Sequence, residues 1–98
     1  MTDRAKGILH QAQTGQFDRT QLDDKINAAL TDDVAKKLAS QLAPLGNPTA
    51  FTLSIFSSQE GYDIYLYKVV FKTLTIEEQV VIDPKTGKVA GILFRPAQ

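Results

Sequence analysis

Few side chains in this sequence have the chemistry for a reaction, and Glu78 is the first to consider. It falls between Ile76 and Val80 in Leu74-Thr75-Ile76-Glu77-Glu78-Gln79-Val80-Val81-Ile82, where the even-numbered residues are apolar and share one side of a strand. A carboxyl group turned toward an apolar interior is harder to ionise, because burial penalises the charged form, and it could then act as an acid or a base near neutral pH. The simpler alternative is that Glu78 pairs with Lys68, or lies near the end of the sheet in water.

His10 is the only histidine. Helical spacing places it beside the apolar stripe of Ala5, Ile8, Leu9 and Ala12 rather than within it, as a solvated or half-buried residue rather than a base in a pocket. A lone histidine assembles no common metal site, and the absence of cysteine removes disulfides, a thiolate nucleophile and cysteine-ligated zinc. No metal and no cofactor is expected.

Tyr65, Tyr67 and Phe71 share one parity of Gly61-Tyr62-Asp63-Ile64-Tyr65-Leu66-Tyr67-Lys68-Val69-Val70-Phe71. Such residues serve as an interface with hydroxyls reaching water, or as the wall of a ligand pocket. Stacking on nucleic-acid bases would require interleaved arginine and lysine, and only Lys68 and Lys72 are near. The other motifs of catalysis are missing: there is no G-x-S-x-G, S-x-x-K, phosphate-binding loop, G-x-G-x-x-G, H-E-x-x-H or calcium loop. No catalytic residue is assigned.

Eleven basic and eleven acidic residues give a formal net charge of zero, which argues against general nucleic-acid binding and against attraction to an anionic membrane surface. The start of the chain carries Asp3, Arg4 and Lys6 and lacks the apolar run of a signal peptide or a membrane span. A length of 98 residues fits one domain with one core.

Three helices and four strands have to position these residues. The helices are predicted over about 3–14, 19–29 and 32–43. The second is expected to open on Asp18 with Gln21 in a capping-box arrangement, braced by Phe17 and Leu22, and the third on Thr31. In that third helix Val34, Ala35, Leu38 and Leu42 are expected to face the core. Pro44 ends the helical half, and strands are predicted over about 50–57, 62–72, 74–83 and 88–94.

In the first strand Phe51, Leu53 and Ile55 are assigned to one face. Ser57 to Gly61 is read as a hairpin loop, and Asp83-Pro84-Lys85-Thr86-Gly87 as a tight turn. The second strand is apolar on both faces, so part of each must be covered by helices, another subunit or a neighbouring domain. Its register against the third strand depends on the loop: a two-residue turn at Lys72-Thr73 pairs even with odd positions, and one more residue pairs even with even.

The segments G-Q-F-D-R-T-Q-L, A-P-L-G-N-P-T-A-F, G-Y-D-I-Y-L-Y-K-V-V-F and V-V-I-D-P-K-T-G-K-V-A-G-I-L-F resemble small cystatin-like, nuclear-transport-factor-2-like domains. Domains of this kind are appended to bacterial serine hydrolases of the β-lactamase and penicillin-binding class. The resemblance implies an α+β fold with helices across a curved antiparallel sheet. It also implies an accessory role in bacterial proteins that are often exported, and brings no catalytic residues.

Two functions remain at this point. One is a non-catalytic interaction domain that associates through its sheet, around Tyr65, Tyr67 and Phe71, with itself or with an adjacent hydrolase domain. The other is a small-molecule binder or acid/base enzyme with a pocket between sheet and helices that contains Glu78.

Overall fold

The computed structural model describes residues 1–97 and has the α+β architecture expected from the sequence: three helices against one face of a four-stranded antiparallel sheet. Helix α1 spans Thr2–Thr14, α2 Asp24–Ala29 and α3 Asp32–Leu42; strands β1 to β4 span Ala50–Gln59, Tyr62–Val70, Thr75–Ile82 and Val89–Pro96. The sheet is a meander in the order β1-β2-β3-β4. A radius of gyration of 12.9 Å is that of a single folded unit of this length, about 13 Å.

Helix α1 buries Ala5, Ile8, Leu9 and Ala12, the stripe read from the sequence, and lies over β1 and β3 with α3 packed against it. It stops at Gly15, whose φ of 74° is the left-handed conformation that glycine adopts without steric cost. A β-carbon there would lie 3.3 Å from that of Ala39 and 3.4 Å from the Ala35 carbonyl oxygen, so this residue also sets the approach of α3.

The second helix differs from the sequence expectation. Asp18 accepts a hydrogen bond from the Thr20 N–H, but it caps only a single 3₁₀ turn over Arg19–Gln21. Leu22 is extended and forms a parallel bridge with Val89, and the next residue, Asp23, donates its N–H to the Val89 carbonyl at 2.9 Å. The tie to β4 thus interrupts the predicted helix. It restarts one residue later, with the Asp23 carboxylate accepting from the Ile26 N–H at 3.0 Å. Thr31 caps α3 as expected, accepting from the Val34 N–H.

In the sheet, β1 carries a bulge between Leu53 and Ile55. Before it Phe51 and Leu53 pair with Val69 and Tyr67; after it Phe56 pairs with Tyr65, while Ile55 pairs with Leu66. One extra residue reverses parity. Ile55 is therefore on the side away from the helices, 56% exposed, and not beside Phe51 and Leu53 as alternation alone predicts. The β1–β2 connection is also tighter than expected. Gln59 and Tyr62 still pair, and Glu60 and Gly61 both have positive φ, 54° and 83°, as a two-residue hairpin turn requires.

Candidate functional site

Register decides where the chemistry-bearing residues go. Strand β2 meets β3 with Tyr67 opposite Glu78, Val69 opposite Ile76 and Tyr65 opposite Val80, so odd positions of β2 share the helix-facing side with even positions of β3. On β4 Phe94 is opposite Glu78 and Ile92 opposite Val80. The row Tyr67, Glu78, Phe94 therefore crosses the middle of the covered face.

Tyr67 and Phe71 are buried and Tyr65 is half-buried, packed by this chain's own helices and by Phe51 and Phe56. The Phe51 and Tyr67 ring centroids are 5.1 Å apart, and those of Phe56 and Tyr65 4.9 Å. The Tyr67 hydroxyl is 3.4 Å from Thr2 Oγ1 on the first turn of α1. This corrects the expectation that Tyr65, Tyr67 and Phe71 form an outward interface. The two-residue offset at the Lys72-Thr73 turn puts the tyrosine parity under the helices, and the opposite parity is left open.

Glu78 is inside, with no exposed surface, and among the described residues it is the one buried side chain of a charged type. Neither carboxylate oxygen has a hydrogen-bond partner. Lys68 does not reach it: Lys68 is exposed on the other face, opposite Glu77. The pairing and the solvated position that the sequence allows are thus both replaced by an unpartnered carboxyl within a core of Tyr67, Val69, Ile76 and Val80. Burial pushes its pKa from the ordinary 4.5 up to about 8. The group is therefore mostly protonated at neutral pH, and with no solvent contact it is not open to a substrate from bulk water in this conformation.

Two apolar recesses flank this row on the β4 side. One, of about 290 Å³, is walled by Ile26, Leu30, Val34, Leu38, Ile92 and Phe94; the other, of about 200 Å³, by Leu38, Leu42, Leu45, Leu74, Ile76 and Phe94. Leu38 and Phe94 belong to both, so they are neighbouring parts of one groove between α3 and the edge strand. Periodicity assigns Val34 and Leu74 to the core, whereas they are 40% and 44% exposed. Val34 shows that the stripe on α3 is wider than the sheet edge it rests on, and Leu74 falls in the turn before β3; nothing in periodicity reports where a sheet ends.

On the β1 side a mixed cleft of about 370 Å³ lies between α1 and the entry to the sheet, bounded by Lys6, Leu9, His10, Gln13, Pro48 and Phe51 among others. His10 is exposed there, with no other histidine near it. Among the described residues no group of three or more histidine, cysteine, aspartate or glutamate side chains could hold a metal ion, and no helix is long and apolar enough to cross a membrane. Comparison of the chain with protein families, with curated proteins and with solved structures finds no match in any of the three.

The helix-free face carries Ile55, Ile64, Leu66, Val81 and Leu93, with Ser57 beside Ile64, Gly91 beside Val81 and Gln79 between Leu66 and Leu93. Ile55 is 56% and Leu93 47% exposed. At one end of this face Lys68, Glu77 and Arg95 form a charged row, with Arg95 Nε donating to Glu77 Oε1 at 2.7 Å.

Proposed function

We propose that this chain is an interaction domain that self-associates through the helix-free face of its sheet. The observation that carries the reading is the set of Ile55, Ile64, Leu66, Val81 and Leu93 on that face, with Gln79 between Leu66 and Leu93. A sheet face meant for water alternates polar residues onto it, and contiguous exposed apolar patches mark contact surfaces. The row Lys68, Glu77 and Arg95 at one end supplies a polar rim, as contact surfaces have.

The proposed contact is of modest size. Four strands at about 4.8 Å spacing and about eight residues of 3.3 Å rise make a face of roughly 500 Å² per copy. Stable interfaces bury about 800 Å² per partner, so the dimer belongs to the weak, transient class, with dissociation in the micromolar range or above. The adjacent hydrolase domain implied by the family resemblance would compete for the same surface.

Sedimentation equilibrium from about 10 μM to about 1 mM separates the two partners. Self-association predicts a rise toward twice the monomer mass, abolished by Ile55→Lys with Leu66→Lys while the fold persists. A monomer throughout that range refutes self-association and turns attention to a different partner for the face.

A further inference from the structure

We propose that β1 is a docking edge for the β1 strand of a second copy, so that two sheets join antiparallel into one of eight strands. This contact runs along the rim of the sheet and is separate from the helix-free face.

An edge strand leaves half of its N–H and C=O groups unpaired, and sheets guard such edges with charge, proline or cover. Strand β1 is 10 residues long and contains no charged residue and no proline. Among the described residues, no hydrogen bond outside the ladder with β2 involves the main chain of residues 51–59. Ile55 and Phe56 point to opposite faces and are 56% and 52% exposed, as happens where the next strand is missing. The bulge between Leu53 and Ile55 is the one guard, and past it residues 55–59 pair regularly with β2, the length of an ordinary strand. In a hairpin closed by a two-residue turn the flanking residues, Gln59 and Tyr62, exchange their hydrogen bonds. Counting back from Gln59, Ser57 and Ile55 also bond to β2, whereas Ser58 and Phe56 turn their N–H and C=O groups outward.

The opposite edge selects the partner. On β4 the Val89 carbonyl is taken by the Asp23 N–H, and Arg95 and Pro96 stand at the far end. Pairing of β1 with β4 of another copy, which would repeat into a fibre, is obstructed, while β1 with β1 closes at two copies. Identical antiparallel strands set each residue near the two-fold axis against a close neighbour of itself, so a charge there would meet its like; β1 has none. With the axis at Ser57, Phe56 and Ser58 of one copy lie opposite Ser58 and Phe56 of the other, and their free groups satisfy one another. The axis is perpendicular to the sheet, so both helix-free faces fall on the same side. Together they make roughly 1000 Å², above the about 800 Å² per partner of a stable interface. That consequence depends on the face being a contact surface; the strand pairing does not.

Leu66→Lys removes the face contact and isolates the edge. In that background, amide exchange is followed by NMR at about 50 μM and about 1 mM. The Phe56 and Ser58 amides are expected to exchange at least about threefold more slowly at the higher concentration, with Ile55 and Ser57, already bonded to β2, unchanged. Isotope-filtered spectra of mixed labelled and unlabelled chains should show contacts from β1 to β1. Ser58→Pro deletes an outward N–H without touching the ladder to β2 and should abolish the protection at Phe56. Ser58→Ala, which loses only the hydroxyl bond to Asp63, should keep it. Exchange independent of concentration at Phe56 and Ser58, protection that survives Ser58→Pro, or intermolecular contacts from β1 to another element would each overturn the pairing. Equal association of wild type and Leu66→Lys, with β1 protected in both, would uphold the edge and refute the face contact.

Discussion

If Glu78 is held as a neutral acid in the core, the stability of the protein must fall as pH rises through the neutral range. The folded carboxyl titrates at about 8 against an ordinary 4.5, so between those values the folded chain keeps a proton that the unfolded chain has released. Stability from this group is complete below about pH 4.5, declines at about 1.4 kcal/mol per pH unit, and levels off above about pH 8 once the folded carboxyl also ionises. The loss is roughly 2–3 kcal/mol from about pH 5 to pH 7, and roughly 4 kcal/mol by pH 8.5.

A loss of that size is a large part of the about 5–15 kcal/mol that holds a domain of this kind together. Urea denaturation of wild type and Glu78→Gln across that range isolates it, because every other titrating group is common to both chains. The expected result is wild type losing stability relative to the variant as pH increases, by the amounts given. Parallel curves would show that Glu78 is already ionised and stabilised at neutral pH, and would refute the reasoning.

Other perturbations test the packing. Gly15→Ala forces a β-carbon into left-handed backbone and to within 3.3 Å of Ala39, and should cost about 1–2 kcal/mol in urea melts; a neutral result would mean that α1 ends differently. Asp23→Ala removes the cap on the Ile26 N–H and should cost about 1 kcal/mol, whereas Asp18→Ala, which frees the Thr20 N–H and hydroxyl at an exposed 3₁₀ turn, should cost less. Glu77→Gln breaks an exposed pair with Arg95 and should change stability by less than about 1 kcal/mol at any salt concentration, which distinguishes it sharply from its neighbour Glu78.

Much of the architecture is readable residue by residue. The stripe Ala5, Ile8, Leu9, Ala12 names the buried side of α1, and Thr31 and Gly15 mark helix ends, because capping and periodicity are local. The even-numbered residues of β3 read as inward, and are inward, for the same reason. Where local pattern misleads, the cause is a partner distant in sequence. Leu22 leaves its helix for Val89, Ile55 turns outward at a bulge specified by pairing with β2, Val34 lies at the open margin beside β4, and Leu74 is taken into the β2–β3 turn.

The amino-acid order alone determined the helices-then-meander sequence of elements, the zero charge and the presence of one carboxyl on an apolar strand face, since each depends on nearest neighbours or on composition. Only the folded chain decided that this carboxyl is unpaired, that the tyrosine side of β2 is the covered one, and that Ile55 and Leu66 are left on the open side. Strand faces have a period of two, so one residue of slip or bulge between distant strands exchanges inside for outside without altering any local pattern.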